Sequence, residues 1–123
     1  MVSILILAHN EELNLPRCLE SVKWSDDVVV LDSYSTDQTV QIAEEYGIRV
    51  EQRAFDNYSG QRSYGLNEIE YRHPWVLMVD ADEEVTLELA QEIQSLVSSE
   101  DSNITLFRFR RRDFFMGRWI KHS

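Results

Sequence analysis

Residues 76–85, VLMVDADEEV, end an apolar run in four carboxylates within five positions: Asp80, Asp82, Glu83 and Glu84. Carboxylates this close repel one another, so water, a helix start, basic side chains or a metal ion must offset the charge. Asp80 and Asp82 are two residues apart, which in an extended chain turns both to one side and Ala81 to the other. Such a pair suits a hard divalent cation, Mg2+ or Mn2+, whose preferred ligands are oxygens. An ion held this way keeps open positions, can take up a diphosphate and can act as a Lewis acid on a leaving phosphate. Glu83 and Glu84 also have a plainer reading, as acidic residues favoured at the start of a helix from about Thr86.

Two further polar clusters follow apolar runs. ILILA leads into His9–Glu12 (HNEE), and VVVL into Asp32–Asp37 (DSYSTD). Alone, each reads equally as helix capping, with Glu11 and Glu12 serving the first helix and Ser35, Thr36 and Asp37 the second. No glycine-rich phosphate loop of the GxGxxG or Walker type is present. The candidate cations for phosphate are therefore Arg53 and Arg62, the latter within GQRSYGLN at the start of a helix.

Positioning these clusters requires strands that end together. Val2–Ala8, Val28–Leu31 and Trp75–Val79 are continuous apolar runs of strand length, the pattern of strands covered on both faces. Ile48–Gln52 predicts a short strand between the last two, and a final strand or hairpin is expected from Ile104. Between the strands lie helical stripes: Leu15, Cys18, Leu19 and Val22; Val40, Ala43 and Tyr46; Leu89, Ile93, Leu96 and Val97. Asn14 before Pro16 suits a helix start, Thr36 and Asp37 another, and Gly47 a stop. A helix over Gly60–Glu70 must end before His73-Pro74. Alternating strands and helices predict an α/β fold, a mostly parallel sheet with right-handed crossovers and helices on both faces. Ligands of such sheets bind beyond the carboxyl ends of the strands, where all three polar clusters would meet.

At 123 residues the chain fits one domain, and 43% hydrophobic with 28% charged residues describe an ordinary globular protein. ILILA and VVVL are far shorter than the roughly 20 apolar residues of a membrane span. With no basic leader before Val2, a cytoplasmic location is expected. The net charge of −10 is uneven: residues 1–107 carry 6 basic and 21 acidic side chains, residues 108–123 carry 6 and 1. That balance argues against a nucleic-acid partner. The basic ending FRFRRRDFFMGRWIKH could meet anionic lipid at a membrane surface, a phosphorylated substrate or the acidic body of the chain. In a plainer reading, alternating Phe107, Phe109 and Arg108, Arg110 form a strand. If a further C-terminal half normally packs here, its absence is expected to expose apolar surface around Phe114, Phe115, Met116 and Trp119. The single Cys18 falls on a helical apolar stripe and reads as core.

Four segments in order resemble the family 2 glycosyltransferases, whose fold is the GT-A nucleotide-diphospho-sugar transferase fold. ILILAHNEE resembles the first strand and its ending, VVVLDSYSTDQT the second with its Ser-Thr-Asp turn, SGQRSYGLN a basic residue opening a helix, and VLMVDADEE the Asp-X-Asp motif. RFRRRDFFMGRWIKH is similar to bacterial lipopolysaccharide core β-1,4-glucosyltransferases. The resemblance implies inverting, metal-dependent transfer from a UDP-sugar to a glycan or lipid-linked acceptor, with Mg2+ or Mn2+ as cofactor. It also implies that Ala8, His9, Glu11, Asp32, Arg62 and Asp80 bind the donor: Glu11 and Asp32 at the uridine, Arg62 near the base or phosphates, Asp80 near the ribose or sugar. His9 stands where the family commonly has an aromatic residue and could stack on the base; equally, beside a strand end, it reads as a structural hydrogen-bonder. Asp82, with Asp80, would hold the metal. Family members often carry a second aspartate where Ser33 stands, a glycine where Tyr34 stands and a lysine where Arg62 stands. Residues 1–123 would then be the donor-binding half of a longer enzyme, whose later half supplies the acceptor surface and the carboxylate base.

Two other chemistries fit these residues less well. A receiver-like domain phosphorylated at Asp32 lacks a late-strand lysine. A glycosidase needs two carboxylates flanking a sugar, whereas Asp80 and Asp82 are near neighbours.

Overall fold

The computed structural model describes residues 2–98 and, as backbone strands, residues 106–108 and 115–118. Four strands and four helices alternate: β1 (Val2–Ala8), α1 (Leu15–Ser21), β2 (Val28–Asp32), α2 (Thr39–Glu45), β3 (Arg49–Gln52), α3 (Tyr58–Asn67), β4 (Trp75–Asp80) and α4 (Leu87–Ser98). β5 (Leu106–Arg108) and β6 (Phe115–Arg118) follow. All six strands form one sheet in the order β3-β2-β1-β4-β6-β5. The first four run parallel, as helical crossovers require, while β6 is antiparallel to both β4 and β5. The expected final strand is thus a hairpin backbone at one sheet edge. The side chains of the basic ending, including the alternation and exposure expected for Phe107–Arg110, Phe114–Met116 and Trp119, lie outside the described residues.

Period-two alternation divides the core between the two faces of the sheet. Ile4, Ile6 and Ala8 of β1 join Val30, Leu77 and Val79 under α1, α2 and α4, where Leu15, Cys18, Leu19, Ala43, Ala90 and Ile93 pack. Leu5 faces the other way, with Val29, Leu31, Val76 and Met78 against α3 and the segment after it, through Ile69 and Tyr71. Both faces are buried, which is why β1, β2 and β4 read as unbroken apolar runs.

Several boundaries differ from the sequence pattern for local reasons. α3 begins earlier than Gly60 because Asn57, in extended backbone, caps it, its side chain accepting from the Gly60 N–H at 2.6 Å. It ends at Asn67, and Tyr71 Oη returns to donate to the Gly65 carbonyl at 2.6 Å. α2 begins at Thr39, where Asp37 Oδ1 accepts the Thr39 N–H at 2.9 Å. Gly47, at φ 72°, supplies the left-handed residue that stops the helix.

Register places the site. Ala8 pairs with Asp32, and Leu7 with Asp80, so β1, β2 and β4 end level. The three polar clusters therefore share the carboxyl edge of the sheet.

Candidate functional site

Beyond β4 the chain turns at once. The Ala81 N–H donates to the Leu7 carbonyl at 3.0 Å, and the Glu83 N–H closes back on the Asp80 carbonyl at 2.9 Å. This turn brings carboxylate oxygens of Asp80, Asp82 and Glu83 within 4.8 Å of one another. An extended strand is not what gathers Asp80 and Asp82, as the two-residue spacing suggested, and a turn recruits Glu83 as well. Asp80 and Glu83 are half-buried and Asp82 exposed. Three oxygen donors converging in one turn match the chemistry of a hard divalent cation.

Cys18 lies beneath the turn, its thiol 3.9 Å from the Asp80 carbonyl. Burial, then the charges of Asp82, Glu83 and Asp80, push the thiol up to about 12. It is an unreactive core residue, as its place on the α1 stripe implied.

The loops after β1 and β2 are laced to each other. The Asn10 N–H donates to Ser35 Oγ at 2.8 Å, and the Thr36 N–H to Asn10 Oδ1 at 2.8 Å. The Glu11 N–H donates to Thr39 Oγ1 at 2.9 Å and the Glu12 N–H to Asp37 Oδ2 at 3.2 Å. Ser35, Thr36 and Asp37 thus join the two loops in addition to starting α2. Asp32 is fully buried; its carboxylate accepts from the Ser35 N–H at 2.9 Å, from Ser35 Oγ and from Gln52 Nε2 at 3.2 Å. Tyr34 occupies the left-handed region at φ 55°, the conformation a glycine would take there most easily.

His9 projects from the end of β1. Its Nδ1 lies 2.9 Å from the Ser33 carbonyl, so that nitrogen carries the proton and donates, and Nε2 faces Asn10 Nδ2 at 3.5 Å. Glu11 holds Asn14 Nδ2 at 2.9 Å. Ala8, 5% exposed, forms the sheet edge below them.

A cleft of about 220 Å³ opens here. His9, Glu11, Asp80 and Asp82 line it together with Leu7, Ala81, Phe55 and Tyr58. The structure thus brings together four of the residues singled out from the sequence. Ala8, Asp32 and Arg62 are not in its lining; Asp32 and Ala8 support it from below, and Arg62 sits half-buried on α3. Arg53 is not a spare cation for phosphate. It pairs with Asp56 through both guanidinium nitrogens at 3.0 and 3.2 Å, donates to Gln61 Oε1 at 2.7 Å and stands over the Tyr64 ring. Sequence reasoning passed over Phe55 and Tyr58; two aromatics in the polar stretch RAFDNYSG were the signal.

A larger cavity of about 380 Å³ lies at the opposite edge, near Asp27, Arg49 and Arg72. There Asp27 is already satisfied by Ser3 Oγ at 2.6 Å and the Arg72 N–H at 2.7 Å. It gathers no converging oxygen ligands and sits at the wrong end of the strands for a parallel sheet.

Comparison with known proteins identifies the family and the fold. The family model Glycosyl transferase family 2 matches residues 3–123. The lipopolysaccharide core biosynthesis glycosyltransferase LpsC of Rhizobium meliloti is 31% identical over 121 residues, covering 94% of this chain and 44% of LpsC. S. aureus TarS 1–349 in complex with UDP-GlcNAc superposes with a TM-score of 0.64 at 26% identity, over 89% of this chain and 34% of that one. Glucosyl-3-phosphoglycerate synthase of Mycobacterium tuberculosis, with Mn2+, UDP and glucosyl-3-phosphoglycerate, shares the fold at a TM-score of 0.67 and 21% identity, over 88% and 43% of the two chains. The chain spans about a third of the length of the Rickettsia glycosyltransferases it also matches.

Proposed function

Since the chain belongs to glycosyl transferase family 2, we propose that residues 1–123 are the nucleotide-sugar-binding part of an enzyme that transfers a sugar from a UDP-sugar to a glycan or lipopolysaccharide-type acceptor, with inversion. The observation that carries this reading is the convergence of Asp80, Asp82 and Glu83 beside a cleft at the carboxyl edge of the sheet. TarS, 26% identical, binds UDP-GlcNAc on the same fold, and LpsC supports the acceptor class.

Asp82 and Asp80 are the residues to hold Mg2+ or Mn2+, with Glu83 adjoining; the ion would supply positive charge for the leaving diphosphate. In this reading Ala8, His9, Glu11 and Asp32 serve the uridine of the donor, Arg62 lies near the base or phosphates, and Asp80 lies near the ribose or sugar. Glu11 is oriented by Asn14, and His9 by Ser33, so both side chains are fixed before a ligand arrives. Asp32 acts from within the protein, holding Ser35 and Gln52.

Titration of UDP into the chain tests this reading. Affinity is expected to rise by about tenfold or more with Mn2+, equivalent to 1.4 kcal/mol, and Asp82→Ala to erase that rise. Equal affinity with and without the ion overturns the reading. A second reading, donor binding without transfer by these 123 residues alone, is favoured by the cleft itself: its carboxylates are Glu11, tied to Asn14, and the Asp80 and Asp82 assigned to the cation. Steady release of UDP from a UDP-sugar, lost in Asp82→Ala, would overturn that one.

A further inference from the structure

Phe55 and Tyr58 are 53% and 60% exposed, although each lines the cleft together with His9, Asp80 and Asp82. Their rings meet edge to face, centroids 5.3 Å apart at 78°. Two aromatic side chains left this open forgo the stabilisation of burial. What holds them there is polar and firm. Arg53 and Asp56 bracket Phe55 with a two-pronged ion pair, and the Asn57 cap fixes the first turn of α3, where Tyr58 stands. Gln61, 2% exposed, receives Arg53 on one side and donates to Ser33 Oγ at 2.9 Å on the other. Ser33 in turn accepts His9. A chain of bonds therefore runs from Arg53, next to Phe55, through Gln61 and Ser33 to His9, which lines the same cleft.

Both nitrogens of His9 face protein partners, Ser33 and Asn10. What remains for a ligand is the face of the ring. A ligand with a flat ring at one end and phosphates at the other fits a cleft lined both by aromatic rings and by converging carboxylates.

Resting on the donor-binding reading above, we propose that Phe55 and Tyr58 form the second wall of the nucleobase subsite, holding the base of the donor against His9. The bonds through Arg53, Gln61 and Ser33 set the distance between the two walls. Gln61 is a positioning residue in this scheme.

The test compares ligands that do and do not carry a base. The chain and its Phe55→Ala/Tyr58→Ala double variant are titrated with UDP, UDP-glucose and inorganic pyrophosphate, each with Mn2+. The double variant is expected to bind UDP roughly 5- to 100-fold more weakly, the range of aromatic–base stacking, with pyrophosphate affinity unchanged. Phe55→Trp is expected to keep UDP affinity, and Phe55→Leu to lose part of it. UDP affinity unaltered in the double variant overturns the wall. So does a loss for UDP-glucose alone, which would assign the aromatics to the sugar, or an equal loss for pyrophosphate, which would mark a folding defect. Absence of UDP binding in the unaltered chain overturns the donor reading itself, and with it this subsite.

Discussion

At the scale of single residues, charged groups near the site divide into those spent on structure and those left for a ligand. Asp56 belongs to the first kind. Arg53, then the Asn57 N–H, lower its carboxyl from 3.8 to about 2. A carboxyl depressed on folding stabilises the fold fully above its unfolded value and loses that contribution as pH falls through its folded value. Melting temperatures of the chain and of Asp56→Asn are therefore expected to differ at pH 5 and to converge between pH 4 and 2. A constant gap down to pH 2 would show that the ion pair is not what fixes this loop. By residue type and position alone Arg53 and Arg62 are equal candidates, both being arginines near a helix start, and only the family resemblance favours Arg62. Only the three-dimensional neighbours of Arg53, namely Asp56, Gln61 and Tyr64, show it to be occupied.

At the scale of elements, α3 is the most finely seated helix. It presents Gly65 to β1, where an added Cβ would stand 2.3 Å from Leu5 Cδ2. Leu5 is fully buried among Val29, Leu31, Val76 and Met78 and has no free space to swing into. Gly65→Ala is accordingly expected to cost about 1–3 kcal/mol by overpacking, read from urea melts, and Leu5→Val in the same chain to restore part of it. No destabilisation would mean that the helix can slide outward. Such a shift would carry Tyr58 and Gln61 with it and loosen the cleft. The helix itself was legible in the sequence, but its start was not, because Asn57 caps from outside the apolar pattern and α3 has little amphipathic stripe to mark it.

For the whole molecule, charge is the governing quantity. The chain carries a net charge of −10, and three carboxylates crowd one turn. Asp82→Asn is expected to raise the melting temperature by about 2–4 °C without divalent ions, as relief of roughly 0.5 kcal/mol of repulsion. Added Mn2+ should raise it for the unaltered chain and not for the variant. A melting temperature insensitive to Mn2+ in both would count against a cation at this turn. Among the described residues no helix is long and apolar enough to cross a membrane. The sequence by itself determined the alternation of strands and helices and the parallel sheet, because buried strands need apolar runs and crossovers need helices. It also determined that polar clusters follow β1, β2 and β4, because hydrophilic residues cannot continue a core. Only the tertiary structure decided which of those polar groups face one another. The turn that gathers Asp80, Asp82 and Glu83, the lacing that occupies Ser35 to Asp37, and the sharing of one cleft by Phe55, Tyr58 and His9 join segments distant along the chain or folded back on themselves. Their energies depend on distances that no local pattern of residues encodes.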